Sequence, residues 1–233
     1  MKIHQYLNTK EEDITCKKHN IFIPICLGNK FFSSKGVLSK NIEECLEWAL
    51  SNTKEKVLFI IVDKIQNTNF YVRNNNKSEK SSLEHVLKEG DVLEKAIDDL
   101  ISRLPNDKKE KVNVIKWMDY ANSDPLCDEI TQIVYKEFET NNEFKNLVLN
   151  SVKTSVVDRE FSEDDYLRLC NYVLDEFCIV YSGIEYKATY FGLYLYPDTD
   201  SVLYFIEDIK AGNIFVELHN RLPIPKTGVL ILN

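Results

Sequence analysis

The first apolar run along the chain is IFIPIC, Ile21 to Cys26. It reads as a short buried strand ending near Pro24, because proline cannot donate to a central ladder. Cys26 then falls just past the strand's carboxyl end. Ser39 or Asn41 is placed to cap a helix through Leu50, in which Ile42, Cys45, Leu46, Ala49 and Leu50 recur at helical spacing. VLFIIVD, Val57 to Asp63, is a continuous β-branched run of the kind covered on both faces of a parallel sheet. Strand, helix and strand in that order predict a right-handed βαβ unit.

Beyond it the pattern alternates between polar gaps and periodic segments. Residues Asn67 to Ser82 are polar and read as a loop, and a helix is predicted from Leu83 to Leu104, before Pro105. A charged turn, Asp107 to Lys111, introduces a third strand from Val112 to Trp117. A long helical stretch covers Leu126 to Val152 with a break near Asn141 and Asn142. Another helix runs from Ser162 or Glu163 to Phe177. The tail reads as strands at TYFGLYLY, VLYFIE, NIFVELH and GVLILN. In the first of these, alternation puts Tyr190, Gly192, Tyr194 and Tyr196 on one face and Phe191, Leu193 and Leu195 on the other. With no internal repeat and no linker, the expectation is one α/β domain over residues 1–233, a parallel sheet flanked by helices.

Composition narrows the function classes. The 233 residues carry 29 basic against 37 acidic side chains, a net charge of −8, which argues against broad nonspecific duplex DNA binding. Only five of the basic residues are arginine, so any basic patch relies mainly on lysine point charges. The first residues, MKIHQYLNTKEEDITCKK, lack the apolar stretch of a signal peptide, and no run approaches the roughly 20 residues that span a bilayer. The six cysteines show neither a CxxC pair nor zinc spacing and read as free thiols. A cytoplasmic protein without membrane contact is expected.

The seven glycines contain no dinucleotide fingerprint and no phosphate-cradling loop, so ATP is not expected as a ligand. GxSxG and HExxH are absent, and the four histidines are scattered. Neither a metal nor an organic cofactor is expected.

Three places remain where chemistry could reside. Cys26 lies where open α/β sheets place their ligand crevice, although a buried structural thiol is the more ordinary role for such a residue. Tyr172 and Glu176 stand at i and i+4 at the edge of a helix's apolar arc, where a carboxylate can turn inward as a base or simply face water. Tyr196 ends a tyrosine-rich strand, a pattern that more often reflects packing.

In this order and spacing the three resemble the cyclodipeptide synthases. The family's first motif, Gly-aliphatic-Ser-x-x-Asn-x-aromatic-aromatic, is matched by Pro24-Ile25-Cys26-Leu27-Gly28-Asn29-Lys30-Phe31-Phe32. Its second, Tyr-aliphatic-x-x-Glu-x-Pro, is matched by Tyr172-Val173-Leu174-Asp175-Glu176-Phe177-Cys178. Tyr196-Pro197 resembles the Tyr-Pro subgroup, and Trp48 and Asp63 also fall at family positions. Pro24 replaces the family glycine, and Cys26 replaces the nucleophilic serine.

The resemblance implies a Rossmann-like fold related to class I aminoacyl-tRNA synthetases, and a ping-pong synthesis of a 2,5-diketopiperazine from two aminoacyl-tRNAs without ATP. Residue 26 would carry the acyl group, which Asn29 helps to fix. Tyr172 and Glu176 would hold the ammonium, and Tyr196 would assist proton transfer. The first side chain would sit among positions Phe22, Pro24, Ile60, Ile179 and Tyr194, which predicts a hydrophobic first amino acid. The family commonly presents a basic helix to tRNA. The corresponding helix here is net acidic, so Lys77, Lys80, Lys108, Lys109 and Lys111 are the candidate tRNA contacts. Two other function classes stand beside this one. A cysteine-dependent acyl hydrolase or transferase would need a histidine base, but His19 lies about 20 Å from Cys26 at ~3.3 Å per strand residue. A degenerate module would bind tRNA or aminoacyl groups without turnover.

Overall fold

Parallel pairing of the most apolar segments organises the molecule. The computed structural model describes residues 2–232 apart from 28, 35–36, 75–77, 122–123, 157–159 and 198–200. The chain begins β1 (Ile3–Leu7), α1 (Glu11–Thr15), β2 (Asn20–Cys26), β3 (Ser33–Ser34), β4 (Val37–Leu38), α2 (Lys40–Asn52) and β5 (Val57–Val62). It continues with α3 (Gln66–Arg73), α4 (Glu79–Ser102), α5 (Asn106–Lys109), β6 (Val112–Lys116), α6 (Trp117–Ala121), α7 (Pro125–Thr140) and α8 (Asn142–Ser155). It ends with α9 (Glu163–Ser182), β7 (Ile184–Tyr186), β8 (Thr189–Tyr196), α10 (Ser201–Lys210), α11 (Val216–Arg221) and β9 (Gly228–Leu232).

The main sheet runs β1-β9-β8-β2-β5-β6, and β7 adds to the start of β8. The five strands from β9 to β6 are parallel, β6 forming one edge, while β1 pairs antiparallel with β9 at the other. Every residue of β2 and β5 is buried, as expected for strands covered on both faces. Ile21, Ile23 and Ile25 pack toward the layer that contains α2 and α4. Phe22 and Cys26 point the other way, into a core built with α7, α8, α9 and α10. This is the mixed α/β architecture the pattern predicts.

Several details differ from the pattern. β2 does not stop at Pro24: its pairs with β8 end at Phe22, but it continues along β5, Pro24 opposite Ile60 and Cys26 opposite Val62. The segment read as a loop from Asn67 holds α3 and the first turn of α4. Val72 is buried there, Phe70 stacks on His85 at 4.1 Å and Ser78 caps α4 through the Ser81 N–H, so tertiary contacts override weak propensity. Residues 75–77 of that segment lie outside the described residues. The polar start of the chain supplies β1 and α1. Within the charged turn before β6 lies the short α5. VLYFIE is α10, because Leu203, Ile206 and Ile209 share one buried helical face. NIFVELH contains α11, entered through a left-handed Phe215 whose ring packs edge-on against Phe144. Short apolar runs do not separate helix from strand by periodicity alone.

Two further differences bear on the site. α9 continues past Phe177 to Ser182 and ends at Gly183, at φ +78°, where a Cβ would meet the Phe191 carbonyl at 2.5 Å. Only glycine fits that cap. In β8, Asn20 lies opposite Phe191 and Ile21 opposite Leu193, so Gly192 is the extra residue of a bulge. The bulge changes the alternation: Phe191 joins Tyr194 on the α9 side, with Leu193 and Leu195 on the other.

The cysteines also differ from an all-thiol reading. Cys127 of α7 and Cys178 of α9 form a disulfide, while Cys16, Cys26, Cys45 and Cys170 remain thiols outside any disulfide. The bonded pair is separated by 51 residues, and only the packing of α7 on α9 brings it together. Among the described residues no helix is long and apolar enough to cross a membrane.

One buried ion pair ties the last helices to the sheet. The Lys210 ammonium donates to Glu207 and, at 3.0 Å, to the Thr227 carbonyl just before β9. Burial lowers the Lys210 pKa and raises that of Glu207. Lys210→Met strands the Glu207 carboxylate, so a loss of about 3–5 kcal/mol in urea unfolding is expected. The double variant Lys210→Met/Glu207→Leu should recover most of it. Equal stability of wild type and Lys210→Met would contradict this account.

Candidate functional site

The carboxyl end of a parallel strand leaves its last side chain facing the crevice above the sheet. Cys26 is that residue in β2, 4% exposed. The chain then turns back: the Asn29 N–H reaches the Cys26 carbonyl at 3.2 Å, and the Asn29 carbonyl accepts from Phe32 and Ser33. The Asn29 carboxamide oxygen accepts from the Phe31 N–H at 3.0 Å, which fixes the loop beside the thiol.

α9 supplies the opposite wall. Its outer turns are polar, but α3, α7, α8 and α10 pack around it, and this turns the Tyr172 and Glu176 face inward rather than to water. The Tyr172 hydroxyl lies 3.5 Å from the Cys26 sulfur, and the Tyr196 hydroxyl lies 3.9 Å from it. Tyr194 donates to the Glu176 carboxylate at 3.2 Å, in full burial. The rings of Tyr194 and Tyr196 are 5.4 Å apart, and Phe22 meets Tyr194 edge-on at 5.1 Å. Cys26, Tyr172 and Tyr196, distant in sequence, thus meet around one sulfur, and Glu176, one turn beyond Tyr172 on α9, is held by Tyr194 beside them.

Burial raises the Tyr172 pKa well above its ordinary value, and the neighbouring Cys26 and Glu176 add to the shift. Tyr194 is raised for the same first reason, then by Glu176. Both phenols are therefore protonated at neutral pH and act as hydrogen-bond donors. Among the described residues no histidine lines the space around Cys26; His19 sits at the other end of β2, beside Gly192.

Two cavities flank the pair Tyr172 and Tyr196. One, of about 430 Å³, contains Cys26 and Asn29 together with Gln66, Asn69, Phe70 and Arg73, spaced along a single face of α3. The other, about 170 Å³, is walled by Val152, Val156, Leu169, Val173 and Val202, with Glu176 at its inner end. That volume is close to the roughly 150 Å³ that accepts a benzene-sized group. The α3 face is hidden in the sequence because the stretch from Asn67 is polar and of weak helical propensity; the spacing 66, 69, 70, 73 is its helical signature.

The other expected residues lie elsewhere. Phe22, Ile60, Ile179 and Tyr194 are at most 1% exposed and pack in one core beneath the site, with Pro24 buried between Phe22 and Cys26 on the same strand. None of the five lines either cavity. Asp63 is buried at the end of β5, accepting from the Lys64 and Met118 N–H groups, while Trp48 is half-buried against the opposite layer. Lys80 is exposed in the first turn of α4, and Lys77 lies outside the described residues. Lys108, Lys109 and Lys111 sit at the wrong end of the sheet for contact near the thiol. The Lys111 carbonyl accepts from Val57, the first residue of β5, whereas Cys26 pairs with Val62. Five residues of strand separate them, about 17 Å at ~3.3 Å each.

No protein-family model matches the chain, and no curated protein does. Solved structures do. The cyclodipeptide synthase of Staphylococcus haemolyticus superposes with a TM-score of 0.71 at 17% identity, covering 97% of each chain. A Mycobacterium tuberculosis protein, described as showing that cyclodipeptide synthetases are related to type I tRNA synthetases, gives 0.71 at 12% identity over 99% of this chain and 94% of its own. The cyclodipeptide synthase of Candidatus Glomeribacter gigasporarum, solved bound to Phe-tRNAPhe, gives 0.55 at 16% identity over 91% and 87%. The fold of this chain is that of the cyclodipeptide synthases and their class I tRNA synthetase relatives.

Proposed function

We propose that the chain is a cyclodipeptide synthase of the Tyr-Pro type, acting as one catalytic domain over residues 1–233, with Cys26 as its nucleophile. The observation that carries the reading is the Cys26 sulfur at the end of β2, held between the Tyr172 and Tyr196 hydroxyls in front of Glu176. The fold likeness and the tRNA bound to one structural neighbour support aminoacyl-tRNA as substrate.

In the first step the sulfur attacks the aminoacyl ester carbonyl. The C–O bond to the tRNA ribose breaks, the ribose oxygen leaves with the thiol proton, and a thioester forms. Tyr172 and Tyr196, as proton-bearing phenols beside the sulfur, stabilise the carbonyl oxygen and pass that proton. Glu176 pairs with the ammonium of the bound aminoacyl group and takes a proton from it. The freed amine attacks the ester carbonyl of a second aminoacyl-tRNA, releasing that tRNA and leaving a dipeptidyl thioester. The dipeptide's terminal amine then attacks the thioester carbonyl, the C–S bond breaks, and the proton released returns the thiol. A diketopiperazine leaves. A thiol in place of the family hydroxyl keeps this sequence intact, because a thiolate is the better nucleophile.

The valine and leucine wall beside Glu176 favours an apolar side chain on at least one of the two aminoacyl groups. One methylene in such a pocket discriminates by only about 1–3 kcal/mol, so mixed apolar products are expected.

Mass spectrometry of the medium after bacterial expression tests the reading. Diketopiperazines above an empty-vector control are expected; their absence, even from Cys26→Ser, would instead favour the module that binds without turnover. Cys26→Ala should abolish product in a folded protein, while Cys26→Ser should retain or raise it. Unchanged product from the alanine variant removes Cys26 from the mechanism. Glu176→Gln keeps the shape but not the charge. Its loss should exceed the under about 1 kcal/mol of an exposed ion pair, lowering turnover about tenfold or more. Wild-type rates in that variant would reduce Glu176 to a packing role.

A further inference from the structure

The chain is acidic overall and its long helix α4 is net acidic, yet a polyanionic substrate has to bring an ester to Cys26. The lysines beyond Pro105 lie at the opposite end of the sheet. Two arginines stand on the helices that wall the site, Arg73 on α3 and Arg168 on α9. Arg73 lines the same cavity of about 430 Å³ as the Cys26 sulfur. Arg168, one turn before Tyr172 on α9, lies 5.5 Å from the Tyr71 ring of α3. Lys30 is exposed next to Asn29, which lines that cavity. The cavity also offers the amides of Gln66 and Asn69 and the face of Phe70, already stacked on His85. Its one carboxylate, Glu89, lies 3.7 Å from the His85 imidazole.

We propose that the 3′-terminal nucleotides of aminoacyl-tRNA dock in this cavity, with Arg73 on a phosphate at its mouth and Lys30 and Arg168 on phosphates at the rim. This rests on the function proposed above. The volume lies within the ~300–1,000 Å³ of ligand sites, large enough for a nucleoside. Amides and an aromatic face suit a base, and a guanidinium suits a phosphate, which it can grip with two hydrogen bonds. Entry is thus from the α3 side, over the carboxyl ends of the strands, not along α4 or across α5. With about three such contacts, binding is weak and moderately salt-dependent, since each contact on single strands contributes about −0.7 to the logarithmic salt slope.

The test compares two acyl donors on the whole protein: an aminoacyl-tRNA and the matching 3′-aminoacyl-adenosine, which carries no phosphate. The readout is the ratio of their KM values. Arg73→Ala should move the ratio about tenfold against tRNA, and the triple variant Lys30→Ala/Arg73→Ala/Arg168→Ala further, flattening the salt slope by about 2 units. Glu89→Gln should move it in favour of tRNA. Circular dichroism and thermal midpoints matching wild type confirm that the variants fold. Ratios within twofold of wild type for all three overturn the docking. So does a tenfold shift produced instead by Lys108→Glu/Lys109→Glu/Lys111→Glu. No transfer by wild type from either donor overturns the proposed function itself, and this inference falls with it.

Discussion

Everything at the site depends on how α9 is held. Its carboxyl-terminal half is buried from Phe177 to Ser182, packed between the sheet and the helices around it. A helix so enclosed has no freedom to rotate, because each side chain from Phe177 on occupies a close-packed position. The rotation that buries Phe177, Ile179 and Tyr181 also turns Tyr172 and Glu176 toward the end of β2. Gly183 closes the helix where no other residue fits, and the bulge at Gly192 gives β8 the phase that sends Tyr194 up beneath Glu176. The position of one hydroxyl 3.5 Å from one sulfur is therefore set by core packing on both sides of it.

That arrangement defines a particular chemistry. The thiol has phenols as near neighbours where a hydrolase of the usual kind would have an imidazole. Tyr172, held protonated by burial, can donate a hydrogen bond and relay a proton but does not act as a strong base at neutral pH. Under the proposed function the acyl donor is already activated, and the task left to such a site is to orient groups and pass protons. The carboxylate of Glu176 would serve the proposed reaction as the counterpart for a positively charged amine, and its hydrogen bond from Tyr194 keeps it in place within the core. Charge near the thiol stands out for the same reason: an acidic protein places an arginine in the lining of the cavity that holds Cys26.

Much of this was legible in the sequence. The parallel strands β2, β5 and β9 announce themselves as continuous apolar runs, because a strand buried on both faces has no polar alternation to obscure it. The break at Asn141 and the cap at Ser162 follow from side chains that satisfy helix ends locally, whereas Ser39 stands at the start of α2 but turns its hydroxyl to the Phe31 carbonyl. Cys26, Asn29, Tyr172, Glu176 and Tyr196 could be picked out by residue type, spacing and resemblance, since local position fixes which strand end or helix face a residue occupies.

What tertiary structure decided is everything that depends on two distant segments meeting. Nothing in the apolar run Val202 to Ile206 says helix; its packing beside α9 does. Nothing in Gln66, Asn69 and Arg73 says site until α3 forms against α4. The face presented by Tyr194 depends on a bulge defined by the register with β2, and the bond between Cys127 and Cys178 depends on α7 lying on α9. The same register places Lys111 some 17 Å of strand away from the thiol and leaves Arg73 beside it. Sequence determines local propensity and the chemistry each side chain carries. Which of those chemistries share a cavity is set by long-range packing, because a contact across the fold is specified by both partners and by everything that fills the space between them.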